Sequence, residues 1–212
     1  MRSWRAWHPG WEYRFWTDAD LADFVRRRYP RLWPLFRSYP DAIQRVDAAR
    51  YMLLHHYGGL YADLDLLCIH PLDDYRRHRV VLAPTTLGTY SNDLMMAAPG
   101  HPLFGRLVEA LPAARRRWQR PLVPRHWRVL LTTGSLFLTR TTRASPYRRQ
   151  VTAFAPAHYH SHDAERARVF HMRGDTWTGA DSRIFAAVAR AWKPLLAAAA
   201  AAAAAVGYWR GA

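Results

Sequence analysis

Tyr57-Gly58-Gly59-Leu60-Tyr61-Ala62-Asp63-Leu64-Asp65 is the most informative stretch of the chain for its fold. Two successive glycines suit the left-handed backbone that ends a helix, and a segment with the period of a strand comes directly after them. A helix is therefore expected from near Asp41 to Tyr57, and a strand from Leu60 to Ile69. A period of two places Tyr61, Asp63, Asp65 and Leu67 on one side of that strand, with Leu60, Ala62, Leu64 and Leu66 on the other. Two carboxylates then point the same way near the end of a buried strand, in a chain whose order of elements reads as α/β.

On the N-terminal side of the glycines, Asp47 and Arg50 lie three apart on the expected helix and share a side with Ile43, Val46, Leu54 and Tyr57. Charges on an apolar face need partners, so the pair reads either as a structural ion pair or as part of a cradle with the two aspartates. Nearer the start of the chain, Tyr13 to Trp16 reads as a short strand. Thr17 followed by Asp20 resembles a capping box opening a helix through about Tyr29, and Pro30, Pro34 and Pro40 divide the region before Asp41 into short pieces.

On the C-terminal side, Val80 to Ala83 and Asp93 to Ala97 read as strands, Gly100-His101-Pro102 as the turn into a helix from Leu103 to about Leu111, and Thr132 to Thr139 as another strand. Asn92 and Asp93 suit either an Asx turn or a substrate contact. His158, His160 and His162 alternate as metal ligands on one strand face would, but a surface loop spaces them identically. Residues 1–192 are expected to form one catalytic domain and residues 193–212 an alanine-rich helical tail. The tail's apolar run falls short of the roughly 20 residues that cross a bilayer, though Trp209 and Arg210 suit an interface.

Lys and Arg total 31 against 16 Asp and Glu, a formal charge of +15, which favours nucleic acid, an anionic membrane face or a diphosphate. Six of the arginines (Arg115, Arg116, Arg117, Arg120, Arg125 and Arg128) surround Trp118 and Trp127, as in a nucleic-acid surface or an amphipathic helix with a solvated loop after it. With half the residues hydrophobic, disorder is excluded. One cysteine, Cys68, excludes an internal disulfide, and the start of the chain lacks a basic-then-apolar leader. The expected location is the cytoplasm, with peripheral contact at the inner face of a membrane.

Closely placed carboxylates are hard donors for Mg²⁺ or Mn²⁺, whose remaining positions can take diphosphate oxygens. The matched residues go further than chemistry alone: Arg45, Asp47, Arg50, Tyr51 and Tyr57 through Asp65 resemble the glycosyltransferase sugar-binding region containing the DXD motif, in the family of Och1-like and mannosyl-inositol-phosphoceramide synthase-like transferases. The resemblance runs from Trp4 to about Trp177, through Trp16-Thr17-Asp18, Asn92-Asp93, Pro99-Gly100-His101-Pro102 and His171 to Trp177.

That resemblance implies a GT-A-like nucleotide-diphospho-sugar transferase fold, with the first nucleotide-binding strand, ahead of Trp4, missing or cut short. It implies an enzyme, a retaining hexosyltransferase that moves a sugar from a nucleotide-diphosphate donor to a hydroxyl of a glycan or glycolipid. Asp47 and Arg50 would hold the donor sugar with Tyr61 in support, Asp63 would contact ribose and sugar, and Asn92 and Asp93 would reach the transferred sugar or acceptor. Asp65 would ligate Mn²⁺ or Mg²⁺, with Asp63 through water and His171 as further candidates, and Trp177 would lie on the nucleotide side. Gly174-Asp175-Thr176-Trp177 stands where serine-tryptophan is more usual. The residues themselves leave two rivals: a metal-dependent phosphohydrolase or nuclease using Asp63 and Asp65, and a basic nucleic-acid-binding module without catalysis. A sugar transferase would bind no nucleic acid.

Overall fold

Eight buried residues of two adjacent strands, pointing alternately to either side, set the architecture. The computed structural model describes residues 2–159 and 165–172. Along β3 (Val80–Pro84) and β4 (Tyr90–Ala97), Val80, Leu82, Met95 and Ala97 face one core, while Val81, Ala83, Leu94 and Met96 face another. Strands apolar on both faces must be covered on both. The sheet they centre has the order β1-β4-β3-β5, with β1 (Gly59–Ala62) antiparallel to β4, β4 antiparallel to β3, and β5 (Val151–Ala153) parallel to β3.

Helices cover the first face: α2 (Asp18–Arg28), α3 (Trp33–Arg37), α4 (Ala42–Tyr57), α5 (Pro102–Trp118) and α7 (Ser135–Ala144). The second face carries a smaller antiparallel pair, β2 (Leu66–Cys68) with β6 (Val169–His171), together with α1 (Arg2–Trp7) and α8 (Pro156–Tyr159). Trp4 of α1 donates its indole N–H to the Leu66 carbonyl at 2.9 Å, and Ser3 Oγ accepts from the Cys68 amide at 3.3 Å. The chain divides into two compact units, the first of which holds the described residues 2–123 and those from Trp127 onward. The strands of both sheets lie in the first.

Local chemistry explains the elements that match expectation. Thr17 caps α2 with the reciprocal box: its hydroxyl accepts from the Asp20 amide, while the Asp20 carboxylate accepts from the Thr17 amide. α4 stops where Gly58 and Gly59 take φ of 65° and 84°. At Gly58 a Cβ would lie 2.5 Å from the Pro99 nitrogen, so only glycine fits.

Four expectations are corrected. Tyr13 to Trp16 forms no strand; Trp16 packs its ring against Phe24 and Tyr57, and side-chain burial rather than ladder pairing fixes the segment. Leu60 to Ile69 is two strands in two sheets, because the Asp63 carbonyl accepts the Leu66 amide across a turn at 3.1 Å. The helix after His101 runs to Trp118, well past Leu111, and contains Pro112. Thr132 to Thr139 is helical: α6 (Arg125–Thr132) closes, Gly134 opens α7, and no strand intervenes. β-Branched residues read as strand there, but Thr132 and Thr139 each donate a hydroxyl to the carbonyl four residues back, which lets a helix accommodate them. The expected tail, residues 193–212, lies outside the described residues.

Candidate active site

The turn from Asp63 to Leu66 carries the chain from the four-stranded sheet to the two-stranded one, so both aspartates sit at the junction. The Asp63 amide donates to the Asp93 carbonyl at 2.8 Å, continuing the β1–β4 ladder by one residue. The Asp65 carbonyl accepts from the Met172 amide at 2.7 Å, beginning the β2–β6 pair. Sheet pairing thus fixes the backbone on each side of Leu64, which is 62% exposed at the tip.

Beneath the turn lies a buried charge network. Asp47 and Arg50 are only 3% and 2% exposed, with Arg50 Nη2 3.1 Å from Asp47 Oδ1. Asp47 Oδ1 also accepts from Asn92 Nδ2 at 2.9 Å, and Oδ2 accepts from the Thr133 hydroxyl at 3.0 Å. Arg50 Nη1 donates to the Asn92 carbonyl at 2.6 Å, and the guanidinium lies 3.4 Å from both Asp63 oxygens. Tyr61 donates its hydroxyl to Asp63 Oδ1 at 2.7 Å while its ring faces the guanidinium, 4.8 Å from Arg50 Cζ. One arginine therefore ties helix α4, strand β4 and the carboxylate turn together.

The electrostatics result from that burial. Burial raises the Asp47 carboxyl to about 6, against the opposing pull of Arg50 and the Thr133 hydrogen bond. Asp63 is also raised by burial, with Arg50 and the Tyr61 hydroxyl working the other way. Burial opposes the Arg50 charge, but Asp63, Tyr61 and Asp47 outweigh it and hold the guanidinium above its ordinary value. Burial pushes the Tyr61 hydroxyl well up, so it stays protonated and can donate.

On the other side of Leu64, His171 Nε2 lies 3.7 Å from Asp65 Oδ2 and 3.7 Å from Asp93 Oδ2. Tyr159 donates its hydroxyl to Asp93 Oδ2, and burial keeps that phenol protonated. Asp65 Oδ1 and Asp93 Oδ1 are buried without a hydrogen-bond partner. Among the described residues no three His, Cys, Asp or Glu groups are disposed to hold a metal by themselves. The unpartnered Asp65 oxygen nonetheless fits Mg²⁺ or Mn²⁺, since Mg²⁺ commonly takes one or two carboxylates and completes its shell with phosphate oxygens and water.

The structure thus brings together Asp47, Arg50, Tyr61, Asp63, Asp65, Asn92, Asp93 and His171; Trp177 lies outside the described residues. Asn92 and Asp93 stand in β4 rather than in an Asx turn. His158 belongs to α8, where its Nδ1 lies 2.7 Å from the Tyr75 hydroxyl, while His160 and His162 lie outside the described residues. Two site residues escaped the sequence reading, Thr133 beside Asp47 and Tyr159 beside Asp93. Each is far along the chain from its partner, and nothing local marks it.

Residues 1–82, which include α4 and the carboxylate turn, match the family model described as glycosyltransferase sugar-binding region containing DXD motif. Inositol phosphoceramide mannosyltransferase 1 of Schizosaccharomyces pombe is 34% identical over 207 residues, covering 92% of this chain and 61% of that protein. Mannosyl phosphorylinositol ceramide synthase CSH1 of Saccharomyces cerevisiae is 32% identical over 183 residues, covering 82% of this chain and 46% of that protein. A solved structure, PaToxG glycosyltransferase, is similar with a TM-score of 0.41 at 12% identity over 62% of this chain and 51% of that one. The α/β architecture and the matched region define a DXD-containing glycosyltransferase domain. More narrowly, the chain is related to the Och1-like and mannosyl-inositol-phosphoceramide synthase-like sugar transferases, spanning about half to three fifths of the two fungal relatives.

Proposed function

We propose that the chain is a GT-A-like, retaining, metal-dependent hexosyltransferase that uses a nucleotide-diphosphate sugar and a hydroxyl of a glycan or glycolipid. The observation that carries this reading is the turn at the sheet junction, where Asp63 is held by Arg50 and Tyr61 while Asp65 keeps one buried oxygen without a partner. The names of the two fungal relatives, which specify mannosyl transfer and inositol phosphoceramide, support a hexose donor and a glycolipid acceptor.

In this reading Asp65 would hold the divalent ion, with Asp63, through water, and His171 as further candidates. Such an ion would supply positive charge that stabilises the leaving diphosphate. Asp63 orients ribose and sugar, and Tyr61 and Arg50 fix its carboxylate. Asp47 and Arg50 form the floor under the donor sugar, and Asn92 and Asp93 face the transferred sugar or acceptor. Trp177 is assigned to the nucleotide side. Burial of the floor excludes water from the ion pair, so the orientation of Asp63 is set before the donor arrives.

Incubating the protein with Mn²⁺, a panel of UDP- and GDP-hexoses and phosphoinositol-ceramide or oligosaccharide acceptors, then analysing the products by mass spectrometry, tests the proposal. Addition of one hexose to an acceptor, dependent on one donor, supports it. Release of phosphate or cleavage of nucleic acid without any sugar transfer overturns it.

A further inference from the structure

We infer that the turn between α5 and α6 docks on an anionic lipid bilayer. Leu122 at this turn is 97% exposed, the most exposed large hydrophobic side chain among the described residues. The turn is a defined one: the Arg120 amide donates to the Trp118 carbonyl at 2.8 Å, and the Val123 amide to the Arg120 carbonyl at 3.1 Å. A fully exposed leucine sacrifices no protein contact on entering a membrane and gains the transfer free energy of its side chain.

The charge around it supplies the complement. Arg116, Arg117 and Arg120 flank the turn in sequence and are exposed, as is Arg140 of α7. Arg117 and Arg140 converge on the same indole, 5.0 Å and 5.8 Å from the Trp118 ring centre. Among the described residues, no carboxylate lies within ion-pair distance of these four arginines. Burial, and to a lesser degree the like charge of Arg117, holds the Arg140 guanidinium below its ordinary value. Exposed arginines beside an apolar tip match the layering of a bilayer surface, phosphate level over acyl chain. Nucleic acid would satisfy the arginines but leave Leu122 in water. The contact is independent of sugar transfer at the carboxylate turn.

The test is flotation of the full chain with vesicles of phosphatidylcholine alone and of phosphatidylcholine mixed with phosphatidylserine. Binding is expected only to the mixed vesicles and is expected to weaken with added salt. Leu122→Asp, at a position too exposed to affect folding, and the pair Arg117→Glu with Arg140→Glu should each weaken binding about tenfold or more. A label on Leu122→Cys should become more fluorescent on the mixed vesicles, Cys68 being buried. Equal binding to both vesicles, or unchanged binding by the variants, overturns the inference. So does binding of single-stranded DNA that the same arginine variants abolish while no vesicle is bound, which would assign the surface to nucleic acid.

Discussion

Asp47 is a buried carboxylate that bears on stability and on the proposed site. Its pKa is raised from the usual 3.8 to about 6, so between those values the folded state holds a proton that the unfolded chain releases. The contribution to stability is therefore fully present below about pH 4 and is lost as the pH rises through about 6, amounting to about 3 kcal/mol at most. Urea unfolding of wild type and Asp47→Asn across that window should show a steeper decline in the wild type than in the variant, in which the raised Asp63 carboxyl still contributes; parallel curves would contradict the assignment. At neutral pH, Asp47→Asn keeps the side-chain size but leaves Arg50 with Asp63 as its remaining counter-charge, so sugar transfer should fall more than nucleotide-diphosphate affinity. A folded Asp47→Asn protein with full transfer would remove Asp47 from the floor of the site. Tyr159→Phe offers a milder probe: losing the donor to Asp93 Oδ2 should cost about 1 kcal/mol of stability and lower transfer several-fold. Wild-type turnover in a stable Tyr159→Phe protein would show that Asp93 needs no such support.

Among the secondary-structure elements, the helix-to-strand passage at Gly58 and Gly59 positions everything downstream. Both glycines have positive φ, but only Gly58 is pressed against the backbone at Pro99 and Ala97; a Cβ at Gly59 would meet open space. Gly59→Ala should cost about 1 kcal/mol from backbone conformation alone, and Gly58→Ala several kcal/mol because backbone must also move. Denaturant midpoints compare the two directly, and equal losses would mean the Pro99 contact yields easily. This passage was legible because glycine and a change of period are local signals. The break at Asp63–Leu66 was not, since the period of two runs through it and only pairing with β4 on one side and β6 on the other divides it. Thr132 to Thr139 misled for the opposite reason: side-chain composition spoke for a strand, while carbonyls four residues back could take the hydroxyls. In the site, Asp47, Arg50, Asp63 and Asp65 stand close together in sequence and could be read as a group, whereas Thr133 and Tyr159 join it only through the tertiary fold.

Across the molecule, the two apolar faces of one sheet fix where the chemistry lies. Helices on one side bury the Asp47–Arg50 pair, the two-stranded sheet on the other brings up His171, and the carboxylate turn crosses between them. Among the described residues, one cavity lies among α2, α3 and α4 beside Trp33 and Arg45 and another beside His70, Asp74 and His158, neither lined by the carboxylate turn. Among the described residues no helix is long and apolar enough to cross a membrane. The charge of +15 is concentrated in arginines whose roles diverge: Arg50 is structural charge inside the site, while Arg117 and Arg140 beside Trp118 face outward.

Metal-assisted transfer at the carboxylate turn stands or falls on a comparison of wild type with Asp65→Ala at equal folded fraction. Both are measured for Mn²⁺-dependent binding of nucleotide diphosphate and for hexose transfer from the donor that the panel identifies. Asp65→Ala is expected to keep its fold, lose the Mn²⁺-dependent part of nucleotide-diphosphate affinity and transfer sugar on the order of a thousandfold more slowly. Metal-dependent affinity and transfer unchanged in Asp65→Ala would contradict that assignment.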